Sequence, residues 1–141
     1  RFNNLHNIID DMVEIIQNIK FDKIACIETN GIIFAAPISD RLSKSLITIR
    51  KKDKINHTNK ISCDFINWKN EKEVLELDLT ILKKNEKYLV VDDLAQTLNS
   101  FKTAEQLLNQ SGNTIVSYLC FANISKIYSI NDIPIHSLIK Y

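Results

Sequence analysis

Leu5, Ile8, Ile9, Met12, Ile15, Ile16 and Ile19 recur at three- and four-residue steps, the spacing of a half-buried helix at the start of the chain. Asn18, Phe21 and Asp22 close it, and the compact apolar run at 23–27 predicts a strand. Residues 32–42 predict a second helix, with Pro37 inside it as a feature that would place its start later. A second strand is predicted at 45–49, ending in the basic cluster Arg50, Lys51, Lys52 and Lys54. From 53 to 71 no period is evident and Asn, Lys and Ser dominate, which predicts a long mobile lid loop. Apolar and polar positions alternate again over 73–79 through Val74, Leu75, Leu77 and Leu79. After a turn at Asn85-Glu86, residues 87–91 read as a fully buried strand that ends in Asp92-Asp93. Ser100 is placed to cap a helix running to Asn109, with Phe101, Ala104, Leu107 and Leu108 on one face and Gly112 behind its end. Strands at 114–122 and 133–139 complete the pattern.

Strand, helix, strand, lid, strand, helix, strand is the order of an α/β protein with a doubly wound, mainly parallel, Rossmann-like sheet. At 141 residues the chain is expected to form a single domain over 1–141. Ligands of such sheets sit at the carboxyl ends of strands where strand order switches, so the segments after Ile27 and after Val91 are the places to search.

Composition narrows the picture. Lysine plus arginine (18) nearly balances aspartate plus glutamate (17), which argues against nucleic acid as a partner. The apolar runs are too short to span a bilayer. Cys26, Cys63 and Cys120 fit neither a disulfide framework nor a metal knuckle, so they read as thiols of a reducing compartment, and no metal site is expected. Free thiols favour a cytoplasmic location; because the first residue is Arg1, a trimmed leader and an organelle stay open. Two glycines and two prolines are few, and phosphate loops need backbone that tolerates positive φ.

The segment Tyr88-Leu-Val-Val-Asp-Asp-Leu-Ala-Gln-Thr-Leu-Asn-Ser-Phe101 carries the strongest chemical signal. A buried strand delivers Asp92 and Asp93 to its exit, where carboxylates can accept from paired sugar hydroxyls. The loop Ala95, Gln96, Thr97, Leu98, Asn99, Ser100 then opens a helix whose first N–H groups, with the hydroxyls of Thr97 and Ser100, suit a phosphate. Taken alone, Asp-Asp after a strand is equally a turn and a helix cap.

This stretch resembles the phosphoribosyl-pyrophosphate (PRPP) motif of type I phosphoribosyltransferases, where a hydrophobic strand, two acids and a Thr-Gly-Gly-Thr loop follow in that order. Ile24 to Pro37, Ile47 to Lys54, Val74 to Leu77 and Ile133 to Tyr141 resemble, in order and spacing, segments of the adenine phosphoribosyltransferase branch over nearly the whole chain. The resemblance implies the phosphoribosyltransferase fold, PRPP with Mg²⁺, adenine and AMP as ligands, and a homodimer. It implies ribose and phosphate contacts at Asp92, Asp93, Ala95, Gln96, Thr97, Leu98, Asn99 and Ser100. It also implies a pyrophosphate side at Glu28, Thr29 and Asn30, joined by Arg50, Lys52 and Lys54, which read equally as a solvated strand end. Glu28-Thr29 falls where that family has an unusual peptide bond.

The departures are specific. Leu98-Asn99 replaces the glycine pair, and leucine is expected to crowd the phosphate cradle. Asn30 stands where the family has an arginine, removing a charge-assisted fork. In the lid, Ile66 stands at the place of a glutamate that meets the base; Glu71 or Glu73 would reach it only by shifting the alignment. Trp68 reads either as a lid residue or as an anchor for another protein. The family's N-terminal hood segment has no counterpart before Arg1. Two readings follow: a non-catalytic nucleotide-binding or structural subunit of a larger assembly, expected from the eroded motifs, or an active, divergent adenine phosphoribosyltransferase.

Overall fold

In a computed structural model that describes residues 4–141, one eight-stranded sheet runs through the chain in the order β3-β4-β2-β1-β5-β6-β8-β7. Its strands are β1 (Lys23–Ile27), β2 (Ser45–Lys51), β3 (Lys60–Ile66), β4 (Lys72–Asp78), β5 (Lys87–Ala95), β6 (Thr114–Asn123), β7 (Ser129–Ile130) and β8 (Ile133–Lys140). The central pairs β2·β1, β1·β5, β5·β6 and β6·β8 are parallel, and β3·β4, β4·β2 and β7·β8 are antiparallel. The chain lays β2 on one side of β1 and returns to place β5 on the other. The switch in strand order therefore falls between β1 and β5, where a crevice opens at their carboxyl ends.

Alternation along the central strands divides the core. Tyr88 and Val90 pack with Tyr118 against Phe101, Ala104, Leu107 and Leu108 of α3 (Asn99–Gln110). Leu89 and Val91 pack with Ile24, Cys26 and Leu119 against α1 (Leu5–Ile16) and α2 (Ile32–Leu42). β1, β5 and β6 are buried on both faces over most of their length, which is why they read as apolar runs. The periodic face of α1 enters the core through Ile9, Met12 and Ile16; the helix ends there, and Ile19 follows in a turn bonded to Ile16.

Three expectations are corrected. The stretch 53–71 is not a loop throughout: its centre is β3, paired with β4 in register from Lys60↔Asp78 to Ile66↔Lys72, and Ile61, Cys63 and Phe65 lean on the core from one side. Pro37 does not delay α2, which begins at Ile32 behind Gly31 and keeps the proline in its interior. Ser100 is not the cap of α3; Leu98 holds that position, and Ser100 lies in the first turn.

Candidate active site

At the carboxyl ends of β1 and β5 lies a cavity of about 770 Å³ with three walls. Glu28, Thr29 and Asn30 supply one, the β5–α3 link supplies the second, and the hairpin of β3 and β4 covers the third. Gly31 lets the first two walls approach: a Cβ there would sit 3.1 Å from the carbonyl oxygens of both Ile27 and Val91 and 3.3 Å from Asp92 Cα. The Glu28–Thr29 peptide bond is cis.

Asp92 and Asp93 belong to the last residues of β5, which runs on to Ala95 rather than stopping at Val91. Asp92 is 8% exposed and lines the cavity. Its Oδ1 accepts from the Asp93 amide at 2.8 Å and its Oδ2 from Ser100 Oγ at 3.3 Å. Burial, reinforced by the neighbouring Asp93, pushes its carboxyl well above the usual range. A buried acid held up in this way gains from partners that favour its charged form, such as ligand hydroxyls or a cation.

Leu98 overturns the expected crowding. It adopts the left-handed region at φ 65°, ψ 3°, and it is only 3% exposed, packed in the cluster that contains Phe101 and Ala95. Burial of a leucine side chain contributes about 2–3 kcal/mol, which offsets a left-handed cost of about 1–2 kcal/mol. The side chain is packed among core residues, and Leu98 also forms part of the cavity lining. The Leu98 side chain does not cap α3, and the Asn99 amide is directed at Thr97 Oγ, 3.3 Å away; the amides that follow it in the first turn suit an anion. Thr97 and Ser100 line the cavity beside them, as does Gln96. Ala95 is buried below, and Asn99 donates from Nδ2 to the Ile66 carbonyl of β3 at 2.9 Å.

The cations are placed differently from expectation. Lys51 lines the large cavity, with Nζ 3.6 Å from a Glu73 carboxylate oxygen. Arg50 and Lys54 line a separate cavity of about 240 Å³ with His57, and Lys52 lines neither. Strand parity separates Arg50 from Lys51, neighbours on β2 that face opposite sides, while Lys52 and Lys54 lie beyond the strand's end.

The hairpin also reaches the cavity. The lid candidates Ile66, Trp68, Glu71 and Glu73 line it together with Phe65, which the resemblance did not single out, and Leu94, 40% exposed, stands on the opposite wall. Asn67 orders the turn, accepting from the Lys69 and Glu71 amides and donating to Glu73, each at 2.9–3.0 Å. The alternation Ile61, Cys63, Phe65 was the available signal. Cys26 and Cys120 are buried, with thiols pushed up to about 12 first by burial and then by Asp92, so neither is a nucleophile at neutral pH. Among the described residues no group of three or more His, Cys, Asp or Glu side chains is arranged to hold a metal ion. No helix among them is long and apolar enough to cross a membrane.

Comparison with known proteins agrees with this geometry. The family description "Phosphoribosyl transferase domain" matches residues 3–135. The chain is 34% identical over 139 residues to an adenine phosphoribosyltransferase of Treponema denticola, covering 94% of this chain and 70% of that one. It is 30% identical over 137 residues to the corresponding protein of Petrotoga mobilis, covering 94% and 78%. The crystal structure of adenine phosphoribosyltransferase from Thermoanaerobacter pseudethanolicus shares the fold at a TM-score of 0.88 and 23% identity, covering 97% of this chain and 80% of that one.

Proposed function

Because the chain belongs to the phosphoribosyl transferase family, in its adenine phosphoribosyltransferase branch, we propose that it joins adenine to PRPP to give AMP and pyrophosphate. PRPP enters as its Mg²⁺ complex, so the ion is part of the substrate. The observation that carries this reading is Leu98: its side chain lies in the core, and the α3 amides it precedes are left to a 5′-phosphate.

The remaining roles follow from position. Asp92 and Asp93 accept from the ribose hydroxyls, and their charge favours the positive character that develops on the ribose as the bond to pyrophosphate breaks. Thr97 and Ser100 add hydroxyl contacts to the phosphate. Lys51 and the cis-linked segment Glu28 to Asn30 face the leaving pyrophosphate. Adenine N9 forms its bond to C1 of the ribose as pyrophosphate departs, and the N9 proton is lost. The hairpin excludes water from this step. Of its acids, Glu73 is already held by Asn67 and Lys51, which leaves Glu71 to meet the base. The reaction suits a cytoplasmic protein.

Asn30 and Ile66 favour a second reading, a nucleotide binder without turnover, since each replaces a residue expected to act on substrate. A coupled assay with adenine and Mg²⁺-PRPP separates the two. Turnover at or above about 1 s⁻¹ supports the transferase. Calorimetric binding of AMP with no detectable turnover would leave only the binder.

A further inference from the structure

The glycine pair expected between β5 and α3 is absent, and its second member is Asn99, a residue whose side chain reaches from the start of α3 to β3. We propose that Asn99 is a positioning residue that latches the β3–β4 hairpin over the phosphate end of the site.

β3 is the outermost strand on its side of the sheet. The Asn67 amide bonds to the Glu71 carbonyl at 2.9 Å, and Ile66 and Lys72 form the next pair inward. Paired residues of antiparallel strands alternate between bonded and unbonded, so the N–H and C=O of Ile66 point outward from β4. On an edge strand such groups have only water to meet. Here the Ile66 carbonyl accepts from Asn99 Nδ2 at 2.9 Å. Glycine at position 99 has no side chain to make this bond.

One bond suffices because the hairpin is stiff at both ends. At the tip, Asn67 binds the turn to Glu73. At the root, buried Glu76 accepts from Lys60 Nζ and from the Asp53 amide. Fixing Ile66 therefore fixes Trp68 and Glu71 as well. Asn99 is also the first residue of α3, with its own amide directed at Thr97 Oγ, 3.3 Å away. An anion that orders this first turn also orders the side chain that holds the hairpin. Occupancy of the phosphate end and closure of the third wall are thereby coupled. The coupling rests on the transferase reading above; the latch does not.

Hydrogen–deuterium exchange on wild type, Asn99→Ala, Asn99→Gly and Asn99→Gln tests it, alongside steady-state kinetics with PRPP. Expected are exchange about tenfold faster at 66–71 in the Ala and Gly variants with β1 and β5 unchanged, and partial recovery in Gln, which restores an amide donor. KM for PRPP should rise about tenfold in Ala and Gly while kcat changes less than about threefold. Equal exchange at 66–71 in all four proteins overturns the latch. Faster exchange with an unchanged KM overturns the coupling. If wild type neither binds PRPP by calorimetry nor turns over, the transferase reading falls together with the coupling, and exchange alone still decides for or against the latch.

Discussion

Arg50 donates from Nε to Glu28 Oε2 at 2.9 Å, tying the end of β2 to the exit of β1 while Arg50 itself lines the smaller cavity. Its neighbour Lys51 is the cation of this cluster that faces the large one. Replacing Lys51 with alanine should raise KM for PRPP about tenfold, the size of one lost charge-assisted contact. Lys52→Ala should leave it within about twofold. Steady-state kinetics on the pair decides which face of β2 meets the substrate, and the reverse ranking would restore the original assignment.

Leu98→Gly separates two accounts of the phosphate loop. If the leucine crowded the cradle, glycine would tighten phosphate binding. With the side chain buried beside Phe101, glycine relieves the left-handed backbone but forfeits core packing, for a net loss of about 1–3 kcal/mol of stability. AMP affinity should stay within about threefold. Urea denaturation and calorimetry measure the two effects independently.

Asp92 predicts a stability cost that runs with pH. Its folded pKa is raised, mainly by burial, so the folded state holds a proton that the unfolded state has already released. Stability therefore falls as pH climbs from the ordinary carboxylate range through the folded pKa. Asp92→Asn removes that dependence. The variant should gain on wild type over this window, by about 1–2 kcal/mol at its alkaline end, and gain nothing below it. Turnover should drop about 100-fold or more, as when an aligned electrostatic contact is deleted. Melting curves across pH, with the coupled assay, check both.

Gly31→Ala should be harmful for lack of space rather than for backbone conformation. The added methyl meets main-chain atoms of β1 and β5 at 3.1–3.3 Å, and neither strand can swing aside as a flexible side chain would. We expect a loss of about 1–3 kcal/mol together with reduced activity, because Asp92 is one of the displaced residues. Thermal melting and kcat report it, and a variant as stable as wild type would contradict the close approach.

Much of this architecture can be read from the residues. β1, β5 and β6 announce themselves as continuous apolar runs because the sheet covers both their faces. α3 does so through Phe101, Ala104, Leu107 and Leu108. β3 is harder, since Ile61, Cys63 and Phe65 touch the core from one side only and lie among Ser62, Asp64 and the surrounding polar residues. Leu98 resists local reasoning altogether: conformational preference disfavours it, and only the assembled core supplies the compensation. The acidic pair and the α3 start were legible because strand and helix ends fix them. Lys51 was not, because choosing among adjacent lysines requires the parity of a strand whose pairing is set by distant residues.

The chain has one tryptophan, and it sits at the hairpin tip with 68% of its surface in water. Indole emission therefore watches that wall and is nearly blind to the interior. A denaturation curve followed by it will trace fraying of the turn, while Tyr88 and Tyr118, sealed between sheet and helix, respond only when the whole molecule gives way. Two optical midpoints from one sample would thus mark two places in the structure, the turn opening before the core.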